Sequence, residues 1–175
     1  LRALWPGDSV YSGAASEPVS FTVNKAQPVV SLSLSASSAP LGYGDLSATA
    51  VVDVPGFPAE LRHLLSGLPV DVYLRAPDGS SHGPVSGVTD ADGNVVFGPS
   101  AFAAAGVSFD TPGLWQFLAE FGGNENFLSA TTANYDDVDA VQLTIKDKAG
   151  YAVIVVGKLD AYGEGHAEHT KTGDY

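Results

Sequence analysis

Three groups of side chains have the types and spacing of ligand-binding chemistry. Asp90, Asp92 and Asn94 stand in the run DADGN, alternating side-chain oxygens ahead of and behind a glycine, as at the start of a calcium-binding loop. A complete loop of that kind needs a later Glu at fixed spacing and flanking helices. Neither follows, and Asp92-Gly93 is equally the dipeptide of a tight turn between strands. Asp136, Asp137 and Asp139 in YDDVD, with Glu120 or Glu125, could form a surface calcium site; a solvated loop or a charge-guarded strand edge uses the same residues. His166 and His169, beside Glu164 and Glu168, would share a face if EGHAEHTKT is helical, and could then ligate a metal. An exposed polar helix start accounts for them as well. No cofactor other than calcium is suggested.

Nucleophilic chemistry has little to stand on. The chain has no Cys, which excludes thiol catalysis, disulfides and iron–sulfur clusters. No Ser lies in a G-x-S-x-G elbow, and His63 and His82 have no partner readable from spacing. The expectation is a protein without catalytic activity.

The elements that must position these residues are strands. Apolar residues make up 45% of the 175 and charged ones only 16%, a composition that folds. Gly 20 and Pro 11, with abundant Ser, Thr and Val, favour short strands and tight turns. A formal charge of −12 repels phosphate backbones, so nucleic acid is not an expected partner. The longest apolar run, Tyr151 to Gly157, is too short to span a bilayer, so no membrane insertion is expected. The chain opens without a recognisable leader, consistent with one removed or with a piece of a longer protein.

The chain repeats itself. ALWPGDSVYSGAAS (3–16) lies over AEFGGNENFLSATT (119–132) at a constant offset of 116, with Trp5 on Phe121, Gly7 on Gly123, Asp8 on Asn124, Tyr11 on Phe127 and Ala14 on Ala130. VSFTV (19–23) then matches VQLTI (141–145) after about six extra residues that include YDDVD. Each copy reads as an alternating strand, a Gly-Asp or Gly-Asn turn, an aromatic, a bend of small residues and a second alternating strand. Residues 1–26 are therefore expected to be the last hairpin of one domain, 27–148 a complete copy, and 149–175 something else.

Within 27–148, QPVVSLSLSAS, LSATAVVDV and LPVDVYLR alternate as strands. Ala59 to Leu65, after Pro58, has the choice of helical turns or a loop. GPVSGVTDADGNVVFGPS reads as a hairpin around Asp92-Gly93, FAAAGVSFDTPG as a connection, and LWQFLAEF as a buried strand carrying Trp115. About seven short strands imply an all-β, two-sheet sandwich, with a barrel as the alternative.

The motifs LGYGD, PDGS, TDADGNVVF and TPGLWQFLAEFGGNENFLSA resemble bacterial immunoglobulin-like repeats of large exported or surface proteins. The resemblance covers roughly 27–148 and the hairpin before it. It implies an immunoglobulin-like sandwich, a spacer or assembly role and an extracellular or cell-surface location, with no catalytic residues. After Ala149, AVIVVG resembles the first strand of the caspase-like fold of legumain-type cysteine peptidases, which implies the start of an α/β domain, with Tyr151 to Val156 buried on both faces of a parallel sheet and EGHAEHTKT beginning a helix.

A hairpin alone is marginal in water, so residues 1–25 should leave Trp5, Tyr11, Phe21 and Val23 uncovered, and the run Tyr151, Val153, Val155 poses the same problem. Strand addition between copies would cover both and, being head-to-tail, would propagate as a fibre. The competing expectations are adhesion through a carbohydrate- or protein-binding face, and an accessory domain of a cysteine peptidase.

Overall fold

The computed structural model describes residues 1–147 and, as backbone, the segments 153–159 and 165–171. Two sheets enclose one core. The larger runs β4 (Ser38–Pro40), β11 (Val141–Lys146), β9 (Gly113–Phe121), β6 (Pro69–Arg75) and β7 (Ser81–Val88), with the short β10 (Ala130–Thr131) also on β9. The smaller runs β3 (Val29–Leu34), β5 (Ala48–Asp53) and β8 (Asn94–Phe97). The chain is thus an all-β sandwich, and the barrel alternative is not what forms.

Period two does the work expected of it. Val70, Val72 and Leu74 of β6 and Trp115, Phe117, Ala119 and Phe121 of β9 all point into the core, as do Ala48, Ala50 and Val52 of β5. Phe109 meets Trp115 edge-on at 5.0 Å, and Phe102 stands perpendicular to Phe117 at 6.5 Å. The Trp115 indole donates to the Thr111 carbonyl at 3.0 Å, so its polar edge is satisfied.

Several expectations are corrected. The opening strand is not continuous: β3 pairs antiparallel with β5, and after Ser35–Ser37 the chain crosses to pair β4 parallel with β11. The segment around Asp92-Gly93 is not a ladder-forming hairpin, because β7 and β8 lie in opposite sheets. Thr89 makes the switch. Its buried hydroxyl donates to the Leu65 carbonyl and accepts the Leu68 N–H, holding the chain at the sheet end while it changes layer. Ala59–Leu65 is a 3-10 helix. Part of the expected connection after Phe97 is α1 (Pro99–Ala104), which Pro99 starts in its first turn and which buries Phe102.

The start of the chain forms β1 (Leu4–Gly7) and β2 (Ser12–Ala15). At the start of the expected second strand, Val19–Val23, the Val19 backbone exchanges hydrogen bonds with that of Leu1, the first residue of the sequence, at 2.8 Å each. Residues 20–25 belong to no strand. At the other end, β12 (Val153–Leu159) pairs antiparallel with β13 (Gly165–Lys171), Val155 opposite His169. The segment expected to begin a helix is therefore a strand, and β12 sits in a hairpin instead of a parallel sheet. A short isolated helix is marginal in water, whereas the β-branched run of β12 presents a ready ladder. The argument for His166 and His169 as ligands on one helix face falls with the helix. Tyr151 and Glu164 lie outside the described residues.

Candidate functional site

The acidic loops hold the backbone and one arginine. One Asp90 carboxylate oxygen accepts the N–H groups of Asp92 and Asn94, both at 2.9 Å, and this holds its pKa below the ordinary aspartate value of 3.8, the Asn94 N–H contributing most. Asp137 accepts the Asn134 N–H at 2.7 Å. Asp136 pairs with Arg75 at 2.5 Å, and that guanidinium depresses the Asp136 carboxyl. Arg75 also donates to Gln116 at 2.9 Å and lies over the Tyr135 ring at 4.9 Å, while Gln116 donates to the Tyr135 carbonyl. The positive charge at this loop is thus supplied from β6. Among the described residues no three Asp, Glu or His side chains converge to hold a metal ion, and the side-chain contacts of Asp90, Asp136 and Asp137 are with backbone N–H groups, Asn94 and Arg75.

Lowered carboxyl pKa values make stability depend on acid. Asp8, Asp78, Asp90 and Asp136 all titrate below their ordinary value in the folded chain. Their contribution is present above pH 3.8 and is lost as pH falls through the depressed folded values, because protonation removes the acceptor charge. Asp90→Asn keeps an acceptor oxygen but does not titrate. Urea unfolding between pH 5 and pH 2 should therefore show a shallower acid decline for Asp90→Asn than for the parent chain, and equal slopes would refute the role given to Asp90.

One side-chain trio went unread in the sequence although its alternate spacing, D-x-S-x-H, was visible. The Ser80 hydroxyl donates to Asp78 at 2.7 Å and lies 3.1 Å from the His82 ring nitrogen, and His82 rests on Trp115 with ring centroids 5.4 Å apart. The hydroxyl stands between carboxylate and imidazole, so the order of contacts is not the carboxylate–imidazole–hydroxyl order of an activated serine.

The surface that stands out is the first hairpin. Over residues 3–16 its hydrogen bonds reproduce those of the β9–β10 hairpin at the offset of 116, and Val19 takes the place of Val141 at an offset of 122. The Asp8 N–H donates to the Tyr11 carbonyl at 2.9 Å, as Asn124 does to Phe127 at 3.0 Å. The Asp8 side chain accepts the Val10 and Tyr11 N–H groups, as Asn124 accepts those of Asn126 and Phe127, all between 2.8 and 2.9 Å. The Ser16 hydroxyl accepts the Ala3 N–H at 2.9 Å, and that of Thr132 accepts the Ala119 N–H at 3.0 Å. Trp5 faces Ala14 as Phe121 faces Ala130, and Leu1 meets Val19 as Phe117 meets Val141. Gly7 and Gly123 take φ of 83° and 82°, a left-handed turn that suits glycine.

Burial is where the two copies part. Trp5, Tyr11, Phe21 and Val23 are 46%, 66%, 67% and 82% exposed, whereas Phe121, Phe127, Leu143 and Ile145 are 0%, 1%, 0% and 2% exposed. In the complete unit Phe127 is covered by Phe57, edge-on at 5.7 Å, and by the chain at Ala26, whose backbone forms a parallel bridge to Phe127. Among the described residues nothing equivalent covers the first hairpin. Of the residues expected to serve assembly, Trp5 and Tyr11 are exposed on the first hairpin, Phe21 and Val23 are exposed in the segment that follows it, and Val153 and Val155 lie on β12.

No helix of the described residues is long and apolar enough to cross a membrane. No model of a known protein family matches the chain, and no curated protein matches it.

Proposed function

We propose that this chain is a non-catalytic structural module of an extracellular or cell-surface bacterial protein, built from immunoglobulin-like units in tandem and able to associate through its terminal segments. The observation that carries the reading is the hydrogen-bond-for-hydrogen-bond reproduction of one closing hairpin 116 residues apart, covered in one copy and bare in the other. The strand order supports the immunoglobulin-like assignment. β3, β5 and β8 on one sheet and β6, β9 and β11 on the other are the groupings that strands A, B, E and C, F, G of such a sandwich would have. An acidic, cysteine-free chain suits the outside of a bacterium.

The bare hairpin presents large apolar side chains on a short two-stranded ribbon, which gains stability by being covered. A head-to-tail contact made there extends into a filament wherever its rotation does not close a ring. Sedimentation velocity of the 175-residue chain across a concentration series tests this. The expected result is association that grows with concentration and disappears in the double variant Trp5→Ser, Phe21→Ser. A monomer at every concentration, with the sandwich folded, would remove assembly from the reading.

A further inference from the structure

We infer that the first hairpin is a receptor for one kind of partner: the opening strand of another sandwich unit like this one, added parallel to residues 10–12 and laid across Trp5 and Tyr11. The inference rests on the proposed tandem-unit reading and names the occupant that this reading leaves open. The complete unit shows how the occupant binds. There the Ala26 N–H donates to the Asn126 carbonyl at 2.9 Å, and the Leu128 N–H donates to the Ala26 carbonyl at 2.9 Å. Those two groups sit on either side of Phe127. Subtracting the offset of 116 gives the Val10 carbonyl and the Ser12 N–H, on either side of Tyr11.

From Ala26 the chain runs into β3, which lies against β9 and β10 of the opposite sheet and so roofs the aromatic end of the closing hairpin. The ligand that the first hairpin fits is therefore an extended segment with a small residue at the bridge position and alternating aliphatic residues after it, as in KAQPVVSLSL, Lys25 to Leu34. Backbone hydrogen bonds at Val10 and Ser12 would supply the register, and aliphatic side chains over Trp5 and Tyr11 the affinity. The small residue matters because a bulky side chain there would hold the strand off the ring below it.

The test is a fluorescein-labelled peptide of sequence KAQPVVSLSL titrated with the full 175-residue chain and followed by anisotropy. Three results are expected: saturable binding; at least about tenfold weaker binding to a Tyr11→Ser chain whose circular dichroism matches the parent; and loss of binding for a peptide of the same composition with Val and Leu moved to the Ser positions. No binding up to the solubility limit overturns the inference. Binding that ignores Tyr11→Ser also overturns it, because the peptide would then be adding to β3, β7 or β8 at a sheet edge. If the chain self-associates in sedimentation but the peptide neither binds nor competes, assembly stands and the occupant is wrong, for example hairpin against hairpin. If the peptide binds to a chain that stays monomeric, the receptor is right and self-assembly is wrong.

Discussion

Replacing Gly93 with Ala is expected to destabilise the sandwich by roughly 3 kcal/mol or more. Gly93 has φ of +84°, and a Cβ built there falls under 3.0 Å from the carbonyl oxygen of Val52. The left-handed backbone alone costs an L-residue about 1–2 kcal/mol. The second cost is larger because the clash is with main chain and cannot be relieved by a rotamer change. Gly93 accepts the Val52 N–H at 2.9 Å, and Val52 is fully buried in the central strand β5. Moving the turn away strands that N–H in the core, a loss of about 1–3 kcal/mol.

Gly79→Ala is the control. Gly79 has a nearly identical φ of +86° but nothing within 4 Å of its built Cβ, so only the dihedral cost of about 1–2 kcal/mol applies. Urea melts should show the midpoint falling much further for Gly93→Ala than for Gly79→Ala with the slope unchanged. Equal shifts would mean that the approach to Val52 carries no energy.

The same position shows what a sequence can and cannot display. Asp92-Gly93 announces a turn, because the left-handed conformation is a property of the dipeptide. The layer change at that turn depends on Thr89 reaching Leu65 and Leu68, more than twenty positions back, and no local pattern encodes that reach. Alternation placed the core of β6 and β9 because the period of a strand is local, and the repeat was legible because Asp8 and Asn124 each cap their own turn. The acidic loop shows the opposite case. Its counter-charge, Arg75, lies 61 residues from Asp136, and until the fold joins them three aspartates read as a cation site. The end of the chain misled through composition: His, Glu, Ala and Lys suggest helix, yet β12 offers a ladder to that segment, and pairing decides the outcome.

The sharpest expectation compares two residues at one position of the repeat. Phe121 and Trp5 share the same register against Ala130 and Ala14, so their local strand chemistry is alike. Phe121 is fully buried and meets Phe127 edge-on at 6.4 Å, so Phe121→Ala should cost about 3–5 kcal/mol through lost burial and the cavity left behind. Trp5→Ala removes a larger side chain, yet in the uncovered hairpin it should move the unfolding midpoint of the sandwich by no more than about 0.5 kcal/mol. Guanidinium unfolding of both variants at low concentration checks the pair. A large effect of Trp5→Ala on the dilute chain would mean that the first hairpin already packs within one molecule, and would leave no surface for a partner. If the effect is small when the chain is dilute and grows when it is concentrated, or when the KAQPVVSLSL peptide is present, the missing burial of Trp5 is being supplied from outside. The energy that Phe121 obtains from its own unit is then the energy that Trp5 obtains from association.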